Sequence, residues 1–146
     1  MANKTMHFFV QCNPPKATAQ ERRARMQGGK AVFYDPPNLR AAKETLEAYL
    51  RPFAPEEPFD CPVRLSIQWR FAYGKSGHKD GEYKRTRPDL DNLHKALQDI
   101  MTKLGYWTDD NLVVEVWAQK IWHNAKPGLN IRITPLGEGI GNGRDE

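Results

Sequence analysis

The chain has 146 residues, 39% hydrophobic and 27% charged, with a formal net charge of +4. That length fits one domain, residues 1–146, able to bury a core without staples, and no apolar run approaches the roughly 20 residues that cross a bilayer. The opening "MANKTMHFFVQC" carries one lysine and only a short apolar stretch, unlike a secretory signal, so a cytoplasmic location with free thiols at Cys12 and Cys61 is expected.

Residues 6–12, "MHFFVQC", read as a first strand. The following stretch to residue 38 is rich in proline, glycine and arginine, and reads as a long basic connection with a short helix near 19–26. Leu39, Ala42, Leu46, Tyr49, Leu50 and Phe53 recur at helical spacing, which predicts a helix over 38–51, with Asn38 as cap and Pro52 as stop. "VRLSIQWRFAY" alternates apolar and polar residues and predicts a strand. "GKSGHKDGEYKRTR" reads as a basic loop, disordered without a partner. Leu90, Leu93, Leu97, Ile100, Met101 and Leu104 form the stripe of a second helix ending at Gly105. "LVVEVWAQKIW" and "LNIRITPL" predict two more strands, joined by "HNAKPG" as a hairpin. Residues 137–146, rich in glycine, are expected to be a flexible tail. The order implies an α+β fold, a small mixed sheet with helices packed on one face.

Charge is unevenly spread. Lys16, Arg22, Arg23, Arg25 and Lys30 face only Glu21 in one segment. Lys75, Lys79, Lys84, Arg85 and Arg87 outnumber Asp80 and Glu82 in another. Such segments are the footprint of a polyphosphate partner; a solvated basic surface is the plain alternative.

Between the second basic segment and the second helix stands "RTRPDLDNLHKAL". One of Asp89 and Asp91 suffices to cap the helix, and the other would then only favour its dipole. Lys95 lies one turn beyond Asp91, away from the leucine stripe, where an ion pair with Asp91 or Asp99 is the plain reading. The helix ends in "GYWTDDN", a second acidic pair, Asp109 and Asp110. A helix of about fourteen residues spans ~20 Å, so Asp110 joins Asp89 and Asp91 only if the chain returns it. If it does, the carboxylates repel one another unless a cation sits among them. All-oxygen ligands favour Mg²⁺ or Mn²⁺ over zinc. An EF-hand is excluded, because Leu93 and His94 occupy positions that need an oxygen ligand and glycine. No phosphate-cradling glycine loop or Ser/His/Asp nucleophile pattern stands out, and the four histidines are scattered.

"RPDLDNLHKALQDIMTKLGYWTDDNLVVEV" resembles the core of the RusA family of Holliday-junction resolvases. The family pattern falls on Asp89, Asp91, Asn92, Lys95, Gly105, Trp107, Asp109 and Asp110. The resemblance implies a homodimeric, metal-dependent endonuclease that resolves branched DNA in recombination and repair. It assigns Asp89, Asp91 and Asp110 to a divalent metal, Mg²⁺ or Mn²⁺, and Lys95 to catalysis. A C2 dimer suits the task, because a four-way junction needs two symmetry-related nicks. Lys16, Arg22, Arg23, Arg25, Lys75, Lys79, Lys84, Arg85 and Arg87 would then hold phosphates. Phe71, Tyr73, Tyr83, Tyr106 and Trp107 are candidates to stack at the crossover, with core packing as the alternative for Phe71 and Trp107. Three rivals remain: a nuclease of flaps or forks, a non-catalytic nucleic-acid-binding phage accessory protein, and a Mg²⁺ enzyme acting on nucleotides, against which the long basic segments and the lack of a nucleotide-binding loop speak.

Overall fold

The computed structural model describes residues 4–16, 23–34 and 37–137, with only the backbone path for 23–27, 30–34 and 37–39. The chain runs through β1 (Met6–Gln11), β2 (Arg23–Gln27), β3 (Lys30–Tyr34), α1 (Pro37–Leu50), β4 (Val63–Phe71), α2 (Leu90–Lys103), β5 (Val113–Trp122) and β6 (Gly128–Pro135). Four strands form one sheet in the order β1-β6-β4-β5, and β2 and β3 form a separate two-stranded sheet.

β4 is central because it is the most strictly alternating strand. Val63, Leu65, Ile67, Trp69 and Phe71 are all buried, and the residues between them are half-buried. Its neighbour β6 pairs Ile133, Ile131 and Leu129 with Leu65, Ile67 and Trp69. β1 in turn sets Met6, Phe8 and Val10 beside those β6 residues. Paired positions share a face, so one side of the sheet is continuously apolar. α1 adds Leu46 and Leu50 to that cluster, and α2 adds Leu93, Leu97, Ile100 and Met101. Both helices therefore cover the same face, in the α+β arrangement expected. The opposite face carries polar ladders: Arg64 Nε donates to Glu115 Oε1 at 2.7 Å and Gln68 Nε2 to Gln119 Oε1 at 2.8 Å.

β4 and β5 are parallel. Parallel neighbours need a crossover, and α2 supplies it. The loop entering α2 thus lies near the C-terminal ends of β4 and β5, where α/β arrangements commonly bind ligands.

Three expectations are corrected. The segment expected to contain a helix near 19–26 enters β2 at Arg23; residues 19–22 lie outside the described residues. Gly28 and Gly29, at φ +59° and +79°, form a two-residue turn that pairs Arg23–Gln27 with Lys30–Tyr34, and a tight turn with two positive-φ residues outweighs weak helical periodicity. β5 and β6 do not make a hairpin. β4 lies between them, because its apolar face is best buried with a strand on each side, and "HNAKPG" steps across it.

The second basic loop is not a loose segment but is tied to the rest of the fold. Asn124 Oδ1 accepts from the Tyr73 and Gly74 amides at 2.8 and 3.0 Å, and Asp80 accepts from the Asn124 and Ala125 amides at 2.8 and 3.2 Å. These bonds, led by that of the Asn124 amide, hold the Asp80 carboxyl below the usual range. Beyond them, residues 81–84 bond along the outer edge of β5: Gly81 N to Trp122 O, Trp122 N to Glu82 O and Lys84 N to Lys120 O.

Smaller boundaries shift by a residue or two. α1 starts at Pro37, a residue suited to the first helical turn, and Arg51–Phe53 forms a 3-10 turn. The tail expected over 137–146 falls outside the described residues from 138 onward. No helix among the described residues is long and apolar enough to cross a membrane.

Candidate active site

Asp89 sits at the N-cap of α2 in extended conformation, φ −68° and ψ 141°, and its carbonyl accepts the first helical bond, from Leu93 N at 3.0 Å. Its side chain makes no capping hydrogen bond. Asp91 lies in the first turn, and both acids are exposed. The capping explanation for the pair is therefore weakened: the helix begins here without using the Asp89 carboxylate.

Lys95 is exposed. It approaches Asp99 Oδ2 at 3.8 Å, with both side chains well in solvent. Such a pair is screened and holds the lysine only loosely. Asn92, Lys95 and Asp99 line a groove of about 410 Å³ between α1 and α2, bounded across from them by Arg40 and Glu47.

The second acidic pair divides its labour. Asp109 Oδ1 caps the following 3-10 turn by accepting from Asn111 N at 2.7 Å. Asp110 instead turns onto α2. Its Oδ1 accepts from Gln98 Nε2 at 2.7 Å and lies 3.1 Å from Thr102 Oγ1. The Thr102 hydroxyl also approaches Gln98 O at 2.8 Å and accepts from Trp107 Nε1 at 2.7 Å. Gln98 is seven residues and Thr102 eleven beyond Asp91, roughly 10 to 16 Å of helix axis. Asp110 thus stands on the right face of α2 but well below the other two acids.

Among the described residues, no three or more His, Cys, Asp or Glu side chains group as a metal site. The donor set of Asp89 and Asp91, all oxygen and exposed, suits a hard cation that takes one or two carboxylates plus substrate phosphate. Asp110 is not grouped with Asp89 and Asp91 among the described residues, its Oδ1 being bonded to Gln98 instead. Gln98 and Thr102 were not singled out from sequence, although they lie on the polar face that also carries Asp91 and Lys95.

The basic residues separate by exposure. Lys16, Lys75, Lys79, Arg85 and Arg87 are exposed. Arg22 lies outside the described residues, and Arg23 and Arg25 are placed on β2 by backbone alone. Lys84 departs from its expected role as a phosphate contact: it is 7% exposed. Its ammonium donates to Thr86 Oγ1 at 2.7 Å, to Thr86 O at 3.3 Å and to Arg87 O. It also lies 4.6 Å from the Trp122 ring centroid and 5.1 Å from that of Phe71. Burial, then the neighbouring charges of Lys120 and Lys16, pull its pKa below the ordinary lysine value. The aromatic candidates divide likewise: Phe71, Tyr106 and Trp107 are core residues, and Tyr83 is 67% exposed. Tyr73 is half-buried, and its hydroxyl bonds to Asp80.

Comparison with known proteins adds a separate line. The family model described as Endodeoxyribonuclease RusA matches residues 13–134. A crossover junction endodeoxyribonuclease of Lactococcus phage r1t is 37% identical over 131 residues, covering 88% of this chain and 97% of that protein. Crossover junction endodeoxyribonucleases of Escherichia coli align over shorter stretches. The one from strain E24377A is 46% identical over 54 residues, 37% of this chain and 45% of the relative. The one from strain K12 is 43% identical over 53 residues, 36% and 44% respectively.

Proposed function

Since the chain belongs to the RusA family of endodeoxyribonucleases, we propose that it resolves four-way DNA junctions by paired, symmetric, metal-dependent nicks. The observation that carries this reading is the front of α2. Two exposed carboxylates, Asp89 and Asp91, directly follow the exposed Arg85 and Arg87, and Lys95 lies one turn beyond. Acids alone would repel a phosphodiester, and cations alone would only bind it. Side by side at a strand-end loop, they suit a backbone phosphate held against a divalent cation.

In this reading Arg85 and Arg87 neutralise phosphates flanking the scissile bond. Asp89 and Asp91 hold Mg²⁺ or Mn²⁺, which supplies Lewis-acid polarisation of the phosphoryl group. Lys95, loosely held by Asp99, is free to reach a phosphate oxygen and stabilise the charge that grows there. Asp110 joins them either by leaving Gln98 and Thr102 or by contribution from a second copy of the chain.

A second copy is also what the two-fold junction requires. The outer edge of β5 supports it. Val114, Val116 and Trp117 are 56%, 50% and 49% exposed there, upstream of the stretch covered by residues 81–84. An open apolar strand edge invites pairing with another chain. In this reading the enzyme works on recombination junctions in the cytoplasm of a bacterium.

The test is cleavage of a synthetic mobile four-way junction, beside flaps and forks, with and without Mg²⁺. Asp89→Asn and Asp91→Asn are expected to retain junction binding in EDTA and to lose about 10²-fold or more of the nicking rate. Undiminished nicking by both variants defeats the assignment. Preference for flaps or forks moves the substrate, and absence of metal-dependent nicking on every branched DNA leaves only a binding module.

A further inference from the structure

Two lysines lie beneath the loop that delivers Asp89, and neither forms an ion pair with a carboxylate among the described residues. Lys120 stands on β5 in register with the core residue Trp69, so it faces the helix side of the sheet. Its Nζ donates to Thr86 O at 2.5 Å and to Pro88 O at 2.7 Å. Lys84, wedged between the Phe71 and Trp122 rings, donates to Thr86 O, Thr86 Oγ1 and Arg87 O. A main-chain bond, Lys84 N to Lys120 O at 3.1 Å, joins the two segments. Three consecutive carbonyls, those of residues 86, 87 and 88, thus point inward at two ammonium groups.

We propose that Lys84 and Lys120 are positioning residues that fix the Thr86–Pro88 backbone and so aim the Asp89 carboxylate and the Arg87 guanidinium outward together. Like charges placed this close disfavour each other, and burying an ammonium costs more still. Apolar side chains would fill the space without that cost. The charge is spent on carbonyls of the loop that ends at Asp89. That residue is then held on both sides: Lys120 grips the preceding carbonyl, and Asp89's own carbonyl is locked into α2 by Leu93. The groups that result, Arg87 and Asp89, are both exposed. A carboxylate on such a mount keeps its direction before metal or DNA arrives, which outer contacts of this kind provide for metal ligands.

The inference rests on the reading of Asp89 as a metal-binding carboxylate, and the experiment separates the two. Full-length Lys120→Met, Lys120→Arg, Lys84→Met and Asp89→Asn are compared with the parent protein. Three quantities are read: Mn²⁺ affinity by electron paramagnetic resonance, junction affinity in EDTA, and the nicking rate at saturating junction. Lys120→Met is expected to weaken Mn²⁺ binding roughly 10-fold or more, with junction affinity within about threefold of the parent. Its saturated nicking rate should fall by up to about 10²-fold, as misplacement near 1 Å does. Lys120→Arg keeps donors for the carbonyls and should recover much of the loss. Parent-like Mn²⁺ affinity and rate in Lys120→Met, while Asp89→Asn is inactive, overturns the clamp and leaves the nuclease reading standing. An Asp89→Asn variant with parent-like nicking and Mn²⁺ affinity instead sinks the reading of Asp89 as a metal-binding carboxylate, on which the clamp rests. Loss of junction affinity equal to the loss of rate also overturns the clamp, because it makes Lys120 a phosphate contact. If Lys120→Met is unfolded by circular dichroism, Lys84→Met and Lys120→Arg decide on the same readouts.

Discussion

The basic loop before α2 offers a quantitative test of which cations meet DNA. Sequence counts five between residues 75 and 87; the structure leaves four exposed, Lys75, Lys79, Arg85 and Arg87, with the Lys84 donors consumed inside the protein. Each phosphate contact contributes about 0.9 to the slope of log affinity against log salt. Replacing Arg85 and Arg87 together with alanine should therefore flatten that slope by roughly 1.8 per engaged chain. Between about 50 and 200 mM salt the parent would lose roughly 12-fold more affinity than the variant. If two copies engage one junction, the difference in slope doubles to roughly 3.6. The assay is a fluorescence-anisotropy titration of labelled junction in EDTA at several salt concentrations, with folding checked by circular dichroism. A parent slope in the double variant refutes the assignment of these arginines. A slope that falls by about 0.9 when Lys84 alone becomes methionine refutes the exclusion of Lys84.

Two further predictions concern what holds the site in place. Tyr106 is fully buried and its hydroxyl donates to Leu50 O, at the end of α1, at 2.7 Å, so Tyr106→Phe leaves that carbonyl unpaired and should cost about 1–3 kcal/mol in urea denaturation; an unchanged midpoint would show that the bond contributes nothing. Gly128 has φ +149° and an added Cβ would lie 2.1 Å from Val10 O, so Gly128→Ala should destabilise by about 3 kcal/mol or more through loss of β1–β6 pairing. A thermal midpoint equal to the parent's would show that the close approach is relieved cheaply.

The fold was legible where pattern and period agree. The alternation of residues 63 to 71 gave β4, and the leucine stripe from Leu90 gave α2, each nearly to the residue. What misled was connection. The segment "HNAKPG" has hairpin chemistry, but local turn preference says nothing about which strand lies next to which. The apolar demand of β4 decided that, and it acts through strands more than fifty residues away. Equally, the glycines and lysines of residues 74 to 87 have the composition of a loose loop. The bonds from Asn124 and Asp80 that tie it down are long-range, and no window of sequence contains both ends.

The site shows the same division in sharper form. Asp89, Asp91 and Lys95 are close because one helix start makes them close, and spacing alone conveyed that. Whether Asp110 joins them is a question of tertiary distance, and in one chain Gln98 and Thr102 hold it a turn or more of helix away. Lys84 and Lys120 lie at the far end of this scale. In the sequence Lys84 is one more cation in a basic run, and Lys120 is a polar interruption in a strand. Only the fold brings both ammonium groups under the same three carbonyls. One clue was present. Lys120 falls on the β5 face that carries Val116, Ala118 and Trp122, in register with Leu65, Ile67 and Phe71 of β4. A lysine on the face turned toward the helices must find acceptors, and here they are backbone oxygens at the entrance to the acidic pair.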